Sequence, residues 1–236
     1  MRALSTYFFT FFILIFFTSG KCSTPELKEF TYKKYTALNH PEISYDAFHN
    51  ATVGYYALLK KGTLKNTRYL SIIDMSLSSN KERYYLIDMQ ENKLVHQSLI
   101  AHGKNTGEEF AKHFSNIENS FQTSIGFYTT GETYMGKNGL SMRMDGLEYC
   151  NNKARERAIV VHYADYVSHE FIKENGRLGR SFGCPALPIE GYEKVIDKIK
   201  DGSCFYIYYP DKKYLQKSSI IKQGEKALIA NNGQLL

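Results

Sequence analysis

The feature that most constrains this chain is a glycine-rich segment carrying a cysteine, residues 179–188, which follows an apolar run ending in a histidine. Residues 157–162 have the composition of a buried strand, and that strand would deliver His162 at its end. Residues 181–187 then predict a tight return of the chain beside it. A fold of this kind would bring Cys184 and His162 together, although their separation in sequence alone says nothing about distance.

Cys184 and His162 form a candidate nucleophile and base. A thiol attacks as the thiolate, so it needs a lowered pKa or a base within hydrogen-bond reach. Imidazole changes charge near neutral pH and can carry the proton from the thiol to a leaving amine. Gly183 allows close backbone approach, and the N–H groups of Gly183 and Cys184 are candidate oxyanion donors. The competing interpretation is that Cys184 is a disulfide partner or a small core residue.

At these residues the sequence resembles the L,D-transpeptidase catalytic domain family (YkuD-like), in particular its murein L,D-transpeptidase branch. The motif G-R-S-F-G-C-P-A at residues 179–186 matches the pattern G-R-S-x-G-C-P-A, in which the branch usually has Trp where this chain has Phe182. Further segments are similar in order and spacing: residues 101–103, 114–116, 124–128, 134–143 and 146–148. The likeness covers roughly residues 43–208.

The resemblance implies a mainly β (α+β) fold, an L,D-transpeptidase-like β-sandwich with a few packing helices. It also implies a reaction on peptidoglycan stem tetrapeptides, in which Cys184 attacks the carbonyl before the terminal D-alanine, releases D-alanine and becomes a thioester. The amine of a second stem would then form a 3→3 cross-link, whereas water would make the enzyme an L,D-carboxypeptidase. No metal or cofactor is expected, since the thioester keeps the energy of the broken peptide bond.

The resemblance assigns roles to individual residues. His162 would be general base and acid, the carbonyl of Tyr163 would orient its ring, Ser181 would support the loop, and Gly183 with Cys184 would form the oxyanion hole. The candidate substrate contacts are Arg180, Phe182, His102, Tyr134, Lys137 and Arg143. For His102, an equal alternative is a loop histidine that fixes a turn. For Tyr134, Lys137 and Arg143, the equal alternative is a hairpin whose charged residues face water.

The chain departs from the family pattern at two positions near the cysteine. Many members have histidine before the Gly-Cys pair and arginine or asparagine two residues after the cysteine, where this chain has Phe182 and Ala186. The contact that those residues give to the substrate carboxylate therefore needs a replacement, for which Arg180 is a candidate.

Other classes fit less well. A papain-like or cell-wall peptidase generally has its cysteine before its histidine, and a sortase needs a later arginine, which the chain lacks after Cys184. A non-catalytic wall-binding module stays open and would have an unreactive Cys184. No H-E-x-x-H, C-x-x-C or phosphate-loop pattern occurs, so neither a metal site nor a nucleic-acid partner is expected. The net charge of +6 is scattered, which suits a solvated surface or an anionic polymer.

The first 20 residues predict a secretory signal and hence export to the periplasm or cell envelope. Arg2 is the only early charge, residues 7–17 are apolar, and residues 18–20 are small. The apolar core is too short for an ordinary spanning helix, so no membrane partner is expected beyond the export signal. Lipid attachment at Cys22 is disfavoured by Lys21, where a small residue is normally required, but it stays open.

Beyond the signal, we expect an N-terminal extension over residues 21–42, one catalytic domain over residues 43–210, and a mobile tail over residues 211–236. The 236 residues suit one domain of ordinary size. Helical spacing predicts helices over residues 43–62 and 189–200. Strands are predicted over residues 69–75, 83–89, 94–100, 125–130, 140–144 and 203–208, the last of them closing the sheet, with a loop over 131–139.

Three smaller expectations follow. Residues 163–180, between the base and the nucleophile, form a lid or an inert surface loop. Asp74 and Asp88 have turn or strand-end roles rather than catalytic ones. A disulfide between Cys150 and Cys204 is possible in an exported protein.

Overall fold

The computed structural model describes residues 24–230, which form eight strands and six helices. The signal segment, Cys22 and the last six residues lie outside the described residues. The strands are β1 (Tyr69–Asp74), β2 (Tyr84–Asp88), β3 (Lys93–Ser98), β4 (Gly126–Gly136), β5 (Gly139–Gly146), β6 (Val160–Tyr163), β7 (Ala186–Leu187) and β8 (Cys204–Tyr208). The helices are α1 (Thr24–Leu38), α2 (Tyr45–Lys60), α3 (His169–Asn175), α4 (Tyr192–Ile199), α5 (Lys212–Lys217) and α6 (Ser219–Ala230).

The strands form one mixed, nearly barrel-like sheet in the order β3-β2-β1-β8-β4-β5-β6-β7. Two neighbouring pairs, β1–β8 and β6–β7, are parallel, and the other neighbours are antiparallel. The predicted mainly β (α+β) class with packing helices is confirmed. However, β8 lies between β1 and β4 in the middle of the sheet, whereas the sequence predicts a closing strand. All five of its residues are buried, as expected for a central strand.

Helix α2 forms where the sequence predicts it and packs on the sheet. Ser44 caps its first turn by accepting a hydrogen bond from the Ala47 N–H, and the Ser44 hydroxyl donates to Asp74 at the end of β1. Gly54 lets the helix approach β4, because a Cβ on Gly54 would lie 2.0 Å from the Phe127 ring. This helix packs against β1 and β8 of the sheet.

The segment predicted as a loop over residues 131–139 is mostly strand. β4 continues to Gly136 and β5 begins at Gly139, so the two strands project together beyond the sheet. The pairing shifts register between Thr130 and Thr133 and then continues to the tip. We call the paired residues 133–142 the β4–β5 arm. Residues 131–139 include no buried side chain and show no regular alternation of apolar and polar residues, the pattern by which strands are recognised in sequence.

The prediction of a mobile tail is wrong for residues 211–230, which form α5 and α6. A buried carboxylate holds them: Glu148 accepts hydrogen bonds from the Tyr214 hydroxyl, the Ser218 hydroxyl and the Phe127 N–H of β4. Helix α6 packs closely on α2, where a Cβ on Gly224 would lie 2.2 Å from the Val53 carbonyl oxygen. The C-terminal helices therefore belong to the folded unit.

The described residues also bear on the possible Cys150–Cys204 disulfide and on membrane-spanning helices. Cys150 and Cys204 both carry free thiols, and the Cys150 thiol donates to the Ile125 carbonyl instead of forming a disulfide. Within residues 24–230, no helix has the length and hydrophobicity needed to cross a bilayer.

Candidate active site

The parallel pair β6–β7 brings the segment that carries Cys184 alongside the strand that carries His162. In its register His162 lies opposite Ala186, and Tyr163 lies opposite Leu187. Cys184 lies in a bend two residues before Ala186, just outside the paired residues of β7. The backbone N–H of Val160 interacts with the Cys184 sulfur, which agrees with this placement. The structure thus places the Cys184 sulfur beside β6, the strand that carries His162.

The ring of His162 is held through Nδ1. Nδ1 lies 2.7 Å from the Tyr163 carbonyl oxygen, which can only accept, so Nδ1 carries the proton and Nε2 has a free lone pair. The Asn138 side-chain amide, at the tip of the β4–β5 arm, lies 3.2 Å from the same nitrogen. Burial lowers the pKa of His162, and the hydrogen bond to Tyr163 partly opposes this. His162 is therefore a neutral base at neutral pH.

The Cys184 thiol is partly buried and neutral at rest. Its sulfur lies 3.8 Å from the carbonyl oxygen of Ala158, a residue in the left-handed conformation at φ 53°. Burial raises the pKa of the thiol, while the Val160 N–H and the charge of Arg157 act in the opposite direction. Since the His162 pKa is lowered and the Cys184 pKa is raised, the resting pair is thiol and imidazole rather than a thiolate–imidazolium ion pair.

Residues 181–185, which we call the cysteine loop, are held by Ser181. The Ser181 hydroxyl donates to the Cys184 carbonyl at 2.6 Å and accepts from the Gly183 N–H at 3.0 Å. Gly183 has a φ of 124°, a conformation that favours glycine. Because its N–H is already bound to Ser181, Gly183 is not the free oxyanion donor that the sequence predicts. The Cys184 N–H has no hydrogen-bond partner among the described residues.

The segment after β3 supports the cysteine loop from the other side. The Ser181 N–H donates to the His102 carbonyl at 2.9 Å, and the Lys104 N–H donates to the Ser181 carbonyl at 2.8 Å. Further along, the Ala101 N–H donates to the Ala186 carbonyl at 2.9 Å. The cysteine loop is therefore tied to residues 101–104 by main-chain hydrogen bonds at both of its ends.

The expectation that His102 contacts substrate is wrong, because its side chain is fully buried. Its Nδ1 accepts a hydrogen bond from the buried Arg83 guanidinium at 2.7 Å, and its Nε2 lies 3.2 Å from the Gly107 carbonyl oxygen. Burial, together with the charge of Arg83, lowers the pKa of His102 to about 3. His102 is thus a neutral structural histidine that fixes the turn beneath the cysteine loop.

Arg180 is also occupied within the fold. Its guanidinium donates to the Glu108 carboxylate at 2.7 Å and to the carbonyl oxygens of Lys104 and Gly107, and its side chain is 19% exposed. This ion pair neutralises its charge, which weakens Arg180 as a substitute contact for a substrate carboxylate. Phe182, by contrast, is 69% exposed beside Cys184.

Of the other three predicted substrate contacts, Tyr134 and Lys137 lie on the β4–β5 arm and Arg143 directly follows it in β5. The Arg143 guanidinium packs 4.8 Å from the centre of the Tyr134 ring and pairs with Glu132 at 3.1 Å. Lys137 is exposed at the tip of the arm, next to Asn138. The arm thus approaches His162 through Asn138, while Tyr134 and Arg143 pack against each other along its length.

Residues 163–180 lie against the chain that follows β3. Val167 and Leu178 are buried with Leu99 and Ala101 in a second, small hydrophobic core. The Leu178 N–H also donates to the Asn80 side chain at 2.9 Å. This segment, predicted as a lid or a surface loop, is packed in place around α3.

Arg157 is a residue of the site that sequence reasoning missed. Its guanidinium donates to the carbonyl oxygens of Ser115 and Gln122, at 2.9 Å and 2.7 Å, and to the Ser120 and Ser124 hydroxyls. It forms no ion pair with a carboxylate of the described residues. A Cβ on Gly183 would lie 3.5 Å from its Nη2, which places this half-buried cation beside the cysteine loop. No motif marks it, since an arginine preceding an apolar strand is common.

Within residues 24–230, no three His, Cys, Asp or Glu side chains are grouped to hold a metal ion. The chemistry that the arrangement can perform is acyl transfer, because it provides a thiol, a neutral imidazole base and an unused main-chain donor at the thiol.

Comparison with known proteins defines the class. The family model of the L,D-transpeptidase catalytic domain matches residues 39–208, and this range contains both His162 and Cys184. The chain therefore belongs to the L,D-transpeptidase catalytic domain family. No curated protein sequence matches the chain significantly.

Among solved structures, the chain is similar to the L,D-transpeptidase LdtMt1 in complex with imipenem, with 12% identity over 60% of this chain and 59% of that chain, at a TM-score of 0.37. An L,D-transpeptidase from Mycobacterium smegmatis gives the same four values. Bd1075 from Bdellovibrio bacteriovorus matches with 17% identity over 68% of this chain and 54% of that chain, at a TM-score of 0.38. The chain thus spans between 54% and 59% of the length of these structures.

Proposed function

We propose that this protein is a cysteine-dependent L,D-transpeptidase that acts on peptidoglycan stem tetrapeptides. The observation that carries the proposal is the pairing of β6 with β7, since His162, whose ring is held by the Tyr163 carbonyl, lies opposite Ala186, two residues after Cys184. Family membership supports the reaction class. The acyl-enzyme, the released D-alanine and the 3→3 cross-link are parts of the proposal.

Acylation begins from the neutral pair. Nε2 of His162 takes the thiol proton as the Cys184 sulfur attacks the carbonyl carbon of the third, L-configured residue of the stem. The resulting imidazolium, whose Nδ1–H still donates to the Tyr163 carbonyl, then gives that proton to the leaving nitrogen. The C–N bond breaks, D-alanine leaves with a neutral amine, and the acyl group stays on sulfur as a thioester.

The negative charge on the carbonyl oxygen needs a main-chain donor during this step. The Cys184 N–H has no partner among the described residues, so we assign it to the oxyanion. The Gly183 N–H serves instead to hold the Ser181 hydroxyl, which in turn holds the Cys184 carbonyl. Ser181 thereby orients the peptide unit that carries the donor.

Transfer of the acyl group completes the reaction. His162, neutral again, takes a proton from the side-chain amine of a second stem as that amine attacks the thioester carbon. A 3→3 amide bond forms and the Cys184 thiol is restored. If water attacks instead, the same acyl-enzyme gives a tripeptide, and the protein is an L,D-carboxypeptidase.

We also propose that the chain is exported, since peptidoglycan lies outside the cytoplasmic membrane. Residues 1–20 support this with one early charge, an apolar core and small residues at the end. Mass spectrometry of the protein recovered from a bacterial envelope fraction would test it. The expected N-terminus lies after residue 20, and a cytoplasmic chain that keeps Met1 would contradict it.

The reaction is tested by incubating the purified protein with murein tetrapeptide monomers and analysing the products by mass spectrometry. We expect free D-alanine together with dimers whose cross-link joins two third-position residues. Cys184→Ala should give neither, whereas Cys150→Ala, which removes a thiol bound to the Ile125 carbonyl, should retain both. Tripeptide without dimer would identify the carboxypeptidase. Equal behaviour of wild type and Cys184→Ala would support the non-catalytic module.

A further inference from the structure

Three segments converge beside the cysteine loop. A Cβ on Gly103 would lie 2.9 Å from the Gly183 Cα and 2.4 Å from the Phe121 carbonyl oxygen, so these backbones are in direct contact. The rings of Phe121 and Phe182 also meet, with their centres 5.1 Å apart. Lys104, which follows Gly103, is therefore placed at the edge of the proposed active site.

The Lys104 side chain is held on this aromatic pair. Its Nζ lies 4.3 Å from the centre of the Phe121 ring and 4.7 Å from the centre of the Phe182 ring. Both distances are within the range of cation–π contacts. At its main chain, the Lys104 N–H donates to Ser181 and its carbonyl accepts from Arg180. Both ends of the residue are thus positioned by the cysteine loop and its neighbours.

The charge of Lys104 is not neutralised within the described residues. Lys104 is exposed and forms no ion pair there, whereas Arg180 is paired with Glu108. The donors of Arg157 point to carbonyl and hydroxyl oxygens behind the cysteine loop. Rings leave an ammonium's three N–H donors largely unused, because cation–π attraction is electrostatic and involves no lone-pair acceptor. Lys104 can therefore still bind an anion.

A stem tetrapeptide presents an anion at this place. Its terminal D-alanine carries the free carboxylate, one residue beyond the carbonyl that Cys184 attacks. Ala186 cannot bind it, because its side chain is apolar and fully buried. We propose that Lys104 binds the C-terminal carboxylate of the stem peptide, while Phe182 and Phe121 hold the ammonium in place and pack against the D-alanine methyl group. This inference rests on the proposed function and names a specificity residue for it.

The first test compares two substrates that differ only in this carboxylate. With the tetrapeptide acid, Lys104→Met should lower kcat/KM about tenfold, which is the effect of losing one charged hydrogen bond. With the tetrapeptide C-terminal amide, wild type and Lys104→Met should be equal. Lys104→Arg should keep most of the preference for the acid, and Lys112→Met, which changes another exposed lysine of the same connection, should behave as wild type. Equal losses with acid and amide would overturn the inference.

The second test does not depend on the peptidoglycan reaction. Iodoacetate and iodoacetamide alkylate the same thiol, but only iodoacetate carries a carboxylate. Peptide mapping of the Cys184 peptide gives the rate of alkylation by iodoacetate divided by the rate of alkylation by iodoacetamide. Lys104→Met should reduce this ratio severalfold, while Lys112→Met should leave it unchanged. If the wild type does not process tetrapeptides but the ratio falls, the proposed function fails and the anion site stands. An unchanged ratio in Lys104→Met overturns the anion site.

Discussion

His162 lies directly opposite Ala186 across the parallel pair β6–β7, and Cys184 precedes Ala186 by two residues. Parallel strands need a long crossover connection, and residues 164–185 provide it, with α3 and a small hydrophobic core that they share with Leu99 and Ala101. Strand pairing thus fixes the position of His162 relative to Ala186, and the proposed nucleophile, Cys184, lies two residues before Ala186. In the proposed mechanism, this pairing lets two residues far apart in sequence act on one carbonyl group.

The state of His162 predicts the acid side of the pH profile. Because burial lowers its pKa below the ordinary 6.5, the imidazole stays neutral at pH values where a free histidine is protonated. When kcat/KM is measured from about pH 4 to about pH 8, we expect it to decrease toward low pH, with the midpoint of this decrease below pH 6.5. His162→Gln should lower kcat/KM by at least about a hundredfold. An acid limb centred above 6.5 would contradict the assignment.

Arg157 should control the acidity of the thiol. Removing its charge in Arg157→Met takes away a favourable interaction with the Cys184 thiolate, so the thiol pKa should rise. A rise of one unit would slow iodoacetamide alkylation of Cys184 about tenfold at neutral pH. The pH dependence of that rate, followed by peptide mapping, gives the thiol pKa.

Two control variants separate this charge effect from a structural one. Arg157→Lys keeps the charge, so the thiol pKa should rise less in this variant than in Arg157→Met. Ser120→Ala removes one loop contact of Arg157 and should leave the thiol pKa unchanged. Thermal unfolding of all the variants reports any loss of structure. A wild-type alkylation profile for Arg157→Met would show that the charge is not felt at the sulfur.

The buried His102 predicts a loss of stability in acid. In the unfolded chain its pKa returns to about 6.5, while in the folded protein burial lowers it to about 3. Between these values the unfolded state binds the additional proton, so stability is complete above the unfolded pKa and decreases as the pH falls toward the folded one. Between about pH 7 and about pH 4, the titration of His102 should therefore lower the free energy of unfolding by roughly 3 kcal/mol.

Urea unfolding of His102→Asn tests this prediction. Asparagine retains an acceptor for the Arg83 guanidinium but does not titrate, so the variant should be less stable at neutral pH. Its free energy of unfolding should then fall less steeply than that of the wild type as the pH decreases. Parallel pH dependences for the two proteins would exclude His102 as the source.

The C-terminal helices should contribute to stability through Glu148. Tyr214→Phe removes the hydroxyl that donates to this buried carboxylate at 2.7 Å, and hydrogen bonds to charged groups contribute about 1.5–3 kcal/mol. We expect a loss of that size in the free energy of unfolding by urea. Tyr209→Phe removes a hydroxyl without a hydrogen bond among the described residues and should change little. Equal effects of the two substitutions would contradict the role of Glu148.

Local patterns predicted much of the framework. Helix α2 and strands β1, β2 and β3 lie within about two residues of their expected bounds, because hydrophobic spacing and turn residues act over short distances. The strand that ends near His162 and the glycine-dependent backbone at Gly183 were also evident from residue types. These features depend on few partners from elsewhere in the chain.

The parts that could not be predicted depend on distant partners. His102 is buried where Arg83, the residue just before β2, binds it, and a histidine in a polar, glycine-containing segment gives no sign of that contact. Residues 211–230 were expected to be a tail because their anchor, Glu148, lies far away in sequence. The Gly183 N–H was expected to bind the oxyanion, but in the structure it donates to the Ser181 hydroxyl. That hydrogen bond depends on the conformation of the cysteine loop, which residue types alone do not reveal.

The most direct test of the central claim is the intact mass of the protein after brief incubation with murein tetrapeptide and acid quenching. The wild type should gain the mass of the stem acyl group without D-alanine, and peptide mapping should place the adduct on Cys184. Cys204→Ala, which changes a fully buried thiol, should form the same adduct, and Cys184→Ala should form none. An adduct on another residue, or no adduct and no D-alanine release on a substrate that an active L,D-transpeptidase consumes, would contradict the account.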